Sequence, residues 1–323
     1  MDVCDMHCDT LTGFVSKKEK DPTYSFASND MDIDLDKLKR GGYLLQNFAI
    51  FTFLKAVKDP VAFVRKHIDA FYELMNTYSD VIQPVTKVSE IYDHRDAGLI
   101  SAMLTIEEGA VIDHDLSILK EYYDKGARMV ALSWNFENGL THPNFHFESG
   151  ENGFHTYDDV HGLTEEGFAY IKEMERLGMI IDVSHMSDAC FYDVYEHTTK
   201  PFVASHSNAR AVCDHARNMS DDMILKLAKR GGVMGMNMSS HFLNGTEHAD
   251  VHDIVRHINY IRDLAGIDVI GLGTDFDGIE SGGLNNASEM PLLKEALKQE
   301  GYSKEEIDKI FYKNVLRVYE EVL

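Results

Sequence analysis

Short apolar runs alternate with amphipathic stretches along the whole chain. Eight runs read as strands: Val3–Cys8, Leu44–Phe51, Ile100–Ile106, Met129–Trp134, Met179–Ser184, Pro201–Ser205, Val233–Asn237 and Val269–Gly273. Many are continuously apolar, as parallel strands buried on both faces require. Between them, helical spacing sets Val61, Val64, Ile68, Phe71, Leu74 and Met75 on one face of Pro60–Tyr78. Thr164–Leu177, Ser220–Lys229 and Val251–Ala265 repeat the pattern, the last through Ile254, Ile258, Ile261 and Leu264. A final helix opens on Ser303 and Glu306, a capping-box pair, and carries Ile307, Ile310, Phe311, Val315, Val318 and Val322 as one stripe. Eight β–α alternations without a Pro/Gly/Ser-rich linker predict a closed (β/α)8 TIM-like barrel, a single α/β domain over residues 1–323. The stretch from Phe136 to Gly162 has no periodicity and many Asn, Gly, His and Phe residues. A long loop after a strand is uncommon unless functional, so 136–162 is expected to lie over the barrel mouth.

Polar residues gather where the predicted strands end. The first ends His7-Cys8-Asp9, and alternation puts His7 and Asp9 on one face. The third ends in Glu107, the fifth in His185, the sixth in His206, and the eighth runs into Thr274-Asp275-Phe276-Asp277-Gly278. Each residue has a plain alternative: a loop histidine, a solvated Glu107-Glu108 turn, or a fragment of a calcium loop. Their shared position at one barrel mouth points instead to a metal site, because imidazole and carboxylate together suit zinc. Past His206 lie Arg210 and Arg217, either of which could clamp a substrate carboxylate or pair with a structural one such as Asp221 or Asp222. Trp134, the only tryptophan, ends the fourth predicted strand. His67 and His257 fall in helical patterns, and His142, His146, His155 and His161 fall in the long loop; these count as surface or substrate-loop residues.

Composition narrows the partners. The net charge of −23, from 31 Lys and Arg against 54 Asp and Glu, disfavours nucleic acid and anionic membranes. No apolar run approaches the roughly 18 residues of a membrane span. The first residues show no basic segment followed by an apolar one, and no hydrophobic tail ends the chain. Cys4 and Cys8 would lie about 13 Å apart on a strand, too far to bridge. All four cysteines are expected to be reduced, and the protein cytoplasmic.

In order along the chain stand Asp5-Met6-His7-Cys8-Asp9, Ile106-Glu107-Glu108-Gly109, Asp182-Val183-Ser184-His185, Ser205-His206-Ser207 with Arg217-Asn218, and Gly273-Thr274-Asp275-Phe276-Asp277-Gly278. Through these the chain resembles the membrane (renal) dipeptidase family of zinc peptidases, from Asp5 to about Leu323. The resemblance implies two zinc ions per chain: His7 and Asp9 on one, His185 and His206 on the other, Glu107 bridging. It further implies Asp275 as catalytic acid/base, Arg217 as the holder of the substrate's C-terminal carboxylate, a dipeptide substrate with a D-residue tolerated at its C-terminal position, and a homodimer. Trp134 departs from the pattern, since many animal members carry a substrate-contacting histidine there. The alternatives are hydrolysis of another small amide or a lactone on the same metals, and a non-catalytic binding barrel.

Overall fold

The computed structural model describes residues 2–323. Nine parallel strands form one sheet: β1 (Val3–Asp5), β2 (Tyr43–Phe51), β3 (Ile82–Val85), β4 (Ile100–Glu107), β5 (Ala127–Ala131), β6 (Ile180–Asp182), β7 (Val203–Ala204), β8 (Val233–Met236) and β9 (Ile270–Leu272). The order β2-β1-β9-β8-β7-β6-β5-β4 returns to its start because β4 also pairs with β2, from Leu45 opposite Ser101 to Phe51 opposite Glu107. Eight strands therefore close a barrel, and helices follow them around the outside.

β3 is the strand the hydrophobic pattern misses. Its run, Ile-Gln-Pro-Val, is short and half-polar, and a proline argues against a central strand. The structure accommodates Pro84 because β3 pairs only with β4, through residues 100–103. One edge of β4 is taken by β2, so β3 and β5 share the other edge, β5 joining at Leu104 where the register shifts. The predicted first strand and the fourth to eighth all end sooner than their apolar runs, β1 at Asp5 and β5 at Ala131. His7, Asp9, Trp134, His185, His206 and Asp275 thus sit on the loops just past the strand ends, where backbone is freer to aim a side chain.

The helical patterns hold closely: helices span Pro60–Thr77, Glu165–Leu177, Asp221–Lys229 and Val251–Ala265. Ser303 and Glu306 form the expected capping box. The last helix then loosens into one π-helical segment, Lys309–Lys313, before continuing as Asn314–Val322. Val315, Leu316, Val318, Tyr319 and Val322 pack against Cys4, Leu45, Met103, Met129, Ile180, Val203 and Val233 of the barrel strands. Tyr319 accepts a hydrogen bond from Asn47 Nδ2 at 2.6 Å, which ties the last helix to β2 inside the barrel. Close packing extends up to the site: a Cβ on Gly273 would stand 1.6 Å from the Ser205 carbonyl oxygen, beside His206. The four cysteines are free and buried. Among the described residues, no helix is long and apolar enough to cross a membrane.

Candidate metal centre

The five residues expected as ligands meet at the carboxyl ends of β1, β4, β6 and β7, the face where barrel enzymes build their sites. Glu107 is central. Its Oε2 lies 3.4 Å from His7 Nε2, and its Oε1 lies 2.9 Å from His185 Nε2 and 3.6 Å from His206 Nε2. His7 Nε2 is 3.7 Å from Asp9 Oδ1 and 3.8 Å from Asp275 Oδ1. The His7 and His206 rings stack at 3.9 Å. Glu107 and Glu108 are both buried, which overturns the solvated-turn alternative.

Hydrogen bonds behind the rings decide which nitrogen each presents. His185 Nδ1 donates to Asn135 Oδ1 at 2.7 Å, leaving Nε2 with a lone pair. His206 Nδ1 meets Ser205 Oγ at 2.7 Å. The two Nε2 atoms then face each other at 2.8 Å. With Nδ1 the protonated nitrogen of both rings, the two Nε2 lone pairs would repel at that distance unless a cation stood between or beside them. His7 Nε2 and Asp9 Oδ1 are buried without a hydrogen-bond partner among the described residues. Orphaned buried polar atoms are costly, and a metal ion is the partner this donor set fits.

Charge balance points the same way. Burial opposes a charge on His7, yet Glu107, Asp9 and Asp275 together push its imidazolium up to about 10. Burial raises Glu107, but His7 and His185 outweigh it and hold the carboxyl well below its usual range. Burial and nearby Arg217 push His185 down to about 4. Burial lifts Asp275 to about 6 against the pull of His7. Three carboxylates crowd one imidazole, an excess of negative charge that a cation would relieve.

Backbone strain marks the same loops. His185, Asp275, Asp277 and Glu108 adopt φ of 71°, 64°, 65° and 93°, a region non-glycine residues occupy at a cost of about 1–3 kcal/mol each. Asp275 Oδ2 accepts from Asn237 Nδ2 at 2.8 Å, which leaves Oδ1 toward His7. Asp277 points elsewhere: Thr10 Oγ1 donates to it at 2.5 Å and Asp32 N at 2.7 Å, so it ties loops together.

A cavity of about 280 Å³ opens over the cluster, lined by Asp9, Glu107, His185, Arg217 and Asp275. Arg217 is only 5% exposed. Its guanidinium donates to the His206 carbonyl at 3.3 Å, lies over the Phe242 ring, and has no partner at Nε among the described residues. Asp221 instead accepts from Tyr260 through Oδ2, and Asp222 pairs with Lys226, so neither is bonded to Arg217. Arg210 does have one: it grips Asp188 by two bonds of 2.7 Å, which removes it as a substrate clamp. Trp134 is half-buried; it lines the cavity and packs on Phe51, Phe53, Phe136 and Phe147. Phe145 and Phe154 reach the cavity from the 136–162 stretch.

Sequence reasoning passed over Asn135, Asp182, Asn237, His215 and His241. Asn135, His215 and His241 line the cavity, and Asn135, Asp182 and Asn237 hold neighbouring site residues by hydrogen bonds. Asn135 had one signal, its place beside Trp134. Asp182 had another, its spacing of three from His185. Asn237 had the same signal as the ligands, since it ends the predicted strand Val233–Asn237; His215 and His241 had none, because nothing local ties them to residues dozens of positions away.

Residues 1–323 match the family described as membrane dipeptidase, peptidase family M19. A protein encoded in the pqqA 5′ region of Klebsiella pneumoniae is 32% identical over 271 residues, 82% of this chain and 97% of that one. Human dipeptidase 3 is 31% identical over 259 residues, 80% of this chain; the matched region is 51% of the human protein, about half its length. A metallopeptidase from Rhodobacter sphaeroides, solved with a phosphinate mimic of the dipeptide L-Ala-D-Ala, shares the fold. Its TM-score is 0.90 at 23% identity, over 100% of this chain and 99% of that one. The closed parallel barrel, the buried imidazole–carboxylate cluster at its mouth and the full-length match together make this chain a member of the membrane dipeptidase family, peptidase family M19.

Proposed function

We propose that this chain is a zinc-dependent dipeptidase. The observation that carries the reading is one cavity that holds both a buried, cation-poor set of metal donors and a buried guanidinium with no carboxylate of its own. His7 and Asp9 would hold one zinc ion, His185 and His206 a second, and Glu107 would bridge them, its two oxygens already facing the two histidine groups. Bound zinc supplies Lewis acidity for the scissile carbonyl and lowers the pKa of water. As a water molecule adds to the scissile carbonyl carbon, Asp275 takes up its proton and passes it to the nitrogen of the leaving amine as the C–N bond breaks. Asn237 holds one oxygen of Asp275, so the other keeps its aim.

Arg217 pairs with the C-terminal carboxylate of the substrate, and Trp134 contacts a substrate side chain. A cavity of about 280 Å³ stands near the lower end of small-ligand sites, which begin at about 300 Å³, and suits a two-residue substrate. The dipeptide mimic bound by the Rhodobacter relative supports the same substrate class. A homodimer and a cytoplasmic location belong to this reading as well.

Protein purified without chelator is expected to carry about two zinc ions per chain, by elemental analysis, and to hydrolyse a dipeptide panel. A protein fully active after complete metal removal would overturn the proposal. Gly278 gives a second, local test. A Cβ there would stand 2.2 Å from Asp9 Oδ2 and 2.7 Å from Asp275 Oδ1. Gly278→Ala is therefore expected to displace Asp9 and weaken zinc by roughly tenfold or more. Chelator competition measures this, and unchanged affinity would show that Asp9 is not held where zinc needs it.

A further inference from the structure

Behind His206 lies a chain of hydrogen bonds that ends on a buried carboxylate. Asp182 closes β6 and is fully buried. Its Oδ1 accepts the backbone N–H of Ser205 at 2.8 Å and of Ser184 at 3.0 Å. Its Oδ2 accepts the hydroxyl of Ser205. Ser205 Oγ, with its one proton given to Asp182, can only accept from His206 Nδ1 at 2.7 Å. Ser184 Oγ, 3.3 Å away, completes the group and accepts the backbone N–H of His206 at 3.2 Å.

Asp182 also lies close enough to His7 and His206 to be counted with them as a metal-binding triad. Its Oδ1 already takes two backbone N–H donors and its Oδ2 the Ser205 hydroxyl, bonds that tie it to the segment behind His206.

We propose that Asp182 and Ser205 act as a polarity relay that locks His206 with its proton on Nδ1, so that Nε2 faces the metal centre with a free lone pair. The inference rests on His206 being a metal ligand, as argued above. Both are positioning residues: neither touches substrate or metal. The direction of every bond follows from one fact, that a carboxylate donates nothing. A carboxylate or carbonyl behind a ligating imidazole is a common way to hold its tautomer; here a serine stands between the two, so the polarity must pass through a hydroxyl.

That hydroxyl makes the relay reversible, and the reversal is the test. In Asp182→Asn the amide oxygen stays toward the two backbone N–H groups, because an NH2 there would face two donors. The amide NH2 then faces Ser205, whose Oγ must accept from it. The Ser205 proton turns to His206 Nδ1, and the ring proton moves to Nε2, where it blocks the metal. Ser205→Ala has a different effect: it removes the relay and leaves His206 free to adopt either tautomer.

Two measurements decide. Nitrogen-15 NMR of metal-free, histidine-labelled protein reads which ring nitrogen of His206 carries a proton. Competition with a chromophoric chelator reads zinc affinity. Wild type should show a protonated Nδ1. Ser205→Ala should bind zinc about tenfold more weakly, and Asp182→Asn about a hundredfold, the two ends of the range for such supporting groups. The double variant should recover to the level of Ser205→Ala, since without the hydroxyl the reversed polarity cannot reach the ring.

A merely structural role for Asp182 predicts the opposite, a double variant at least as impaired as Asp182→Asn, and that result overturns the proposal. An unprotonated Nδ1 in wild type also overturns it. Should Asp182→Asn fail to fold, wild type and Ser205→Ala still decide: unchanged affinity and an unchanged proton position in Ser205→Ala end the relay. If wild type binds no zinc yet shows the protonated Nδ1, the relay stands and the metal reading falls.

Discussion

Asp275→Asn is expected to keep its metal and to lose about 10²- to 10⁴-fold in kcat on dipeptides, the usual worth of a positioned general acid/base. The carboxyl lies at the cavity, with Oδ1 3.8 Å from His7 Nε2 and Oδ2 held by Asn237 at 2.8 Å. Burial lifts it to about 6, within reach of both accepting and donating a proton near neutrality. An amide fits the same space and can still accept from Asn237, so folding and metal binding should survive, while the proton shuttle cannot. Asp277→Asn is the control. Its bonds run to Thr10 and to the backbone of Asp32, away from the cavity, so it should cost stability more than turnover. Kinetics and zinc analysis on both variants check the assignment. A loss of only a few-fold in Asp275→Asn would remove it as the acid/base, and a collapse of turnover in a well-folded Asp277→Asn would transfer the role.

The second large effect concerns the substrate's own charge. Free-carboxylate dipeptides should be hydrolysed much faster than their C-terminal amides, and Arg217→Ala should erase most of that difference. A buried guanidinium without a carboxylate partner is costly until an anion arrives, and a bidentate charged pair is stronger than a neutral bond. Truncating one side of a buried charge pair costs about 2 kcal/mol or more, so kcat/KM for the free acid should fall by roughly 30-fold or more. The amide, which never used the charge, should change little. A protein of net charge −23 repels anions at long range, so a buried guanidinium lining the cavity matters the more. Measuring kcat/KM for both substrates on both proteins tests this. Equal losses for acid and amide would place Arg217 outside the substrate site. They would also reopen the hydrolysis of other small amides or lactones, which need no such anchor.

Much of this was legible along the chain because the barrel is built from local repeats. Continuous apolar runs mark strands buried on both faces, and helical stripes mark the outer layer. Eight alternations leave few topologies. His7, Asp9, Glu107, His185, His206 and Asp275 could be picked out because each follows an apolar run, and strand ends in a parallel barrel all point to one mouth. The place of each along the chain, and the residue types that make a metal site, were matters of sequence alone.

Contacts between distant segments were settled only by the fold. Pro84 argues against a strand until β4 offers it a single edge. Arg210 and Arg217 are the same residue type seven positions apart; Asp188 neutralises one, and the other is left for a ligand. His215 and His241 carry no local mark, yet the closed barrel brings both to the cavity. The proton positions on His185 and His206 depend on Asn135, Ser205 and Asp182, which meet only when β5, β6 and β7 lie side by side. Sequence periodicity reports which face of an element is buried, a property of neighbours three or four residues apart. Hydrogen-bond direction, ion pairing and strain at φ near 65° arise between residues far apart in the chain, so they exist only once the barrel has closed.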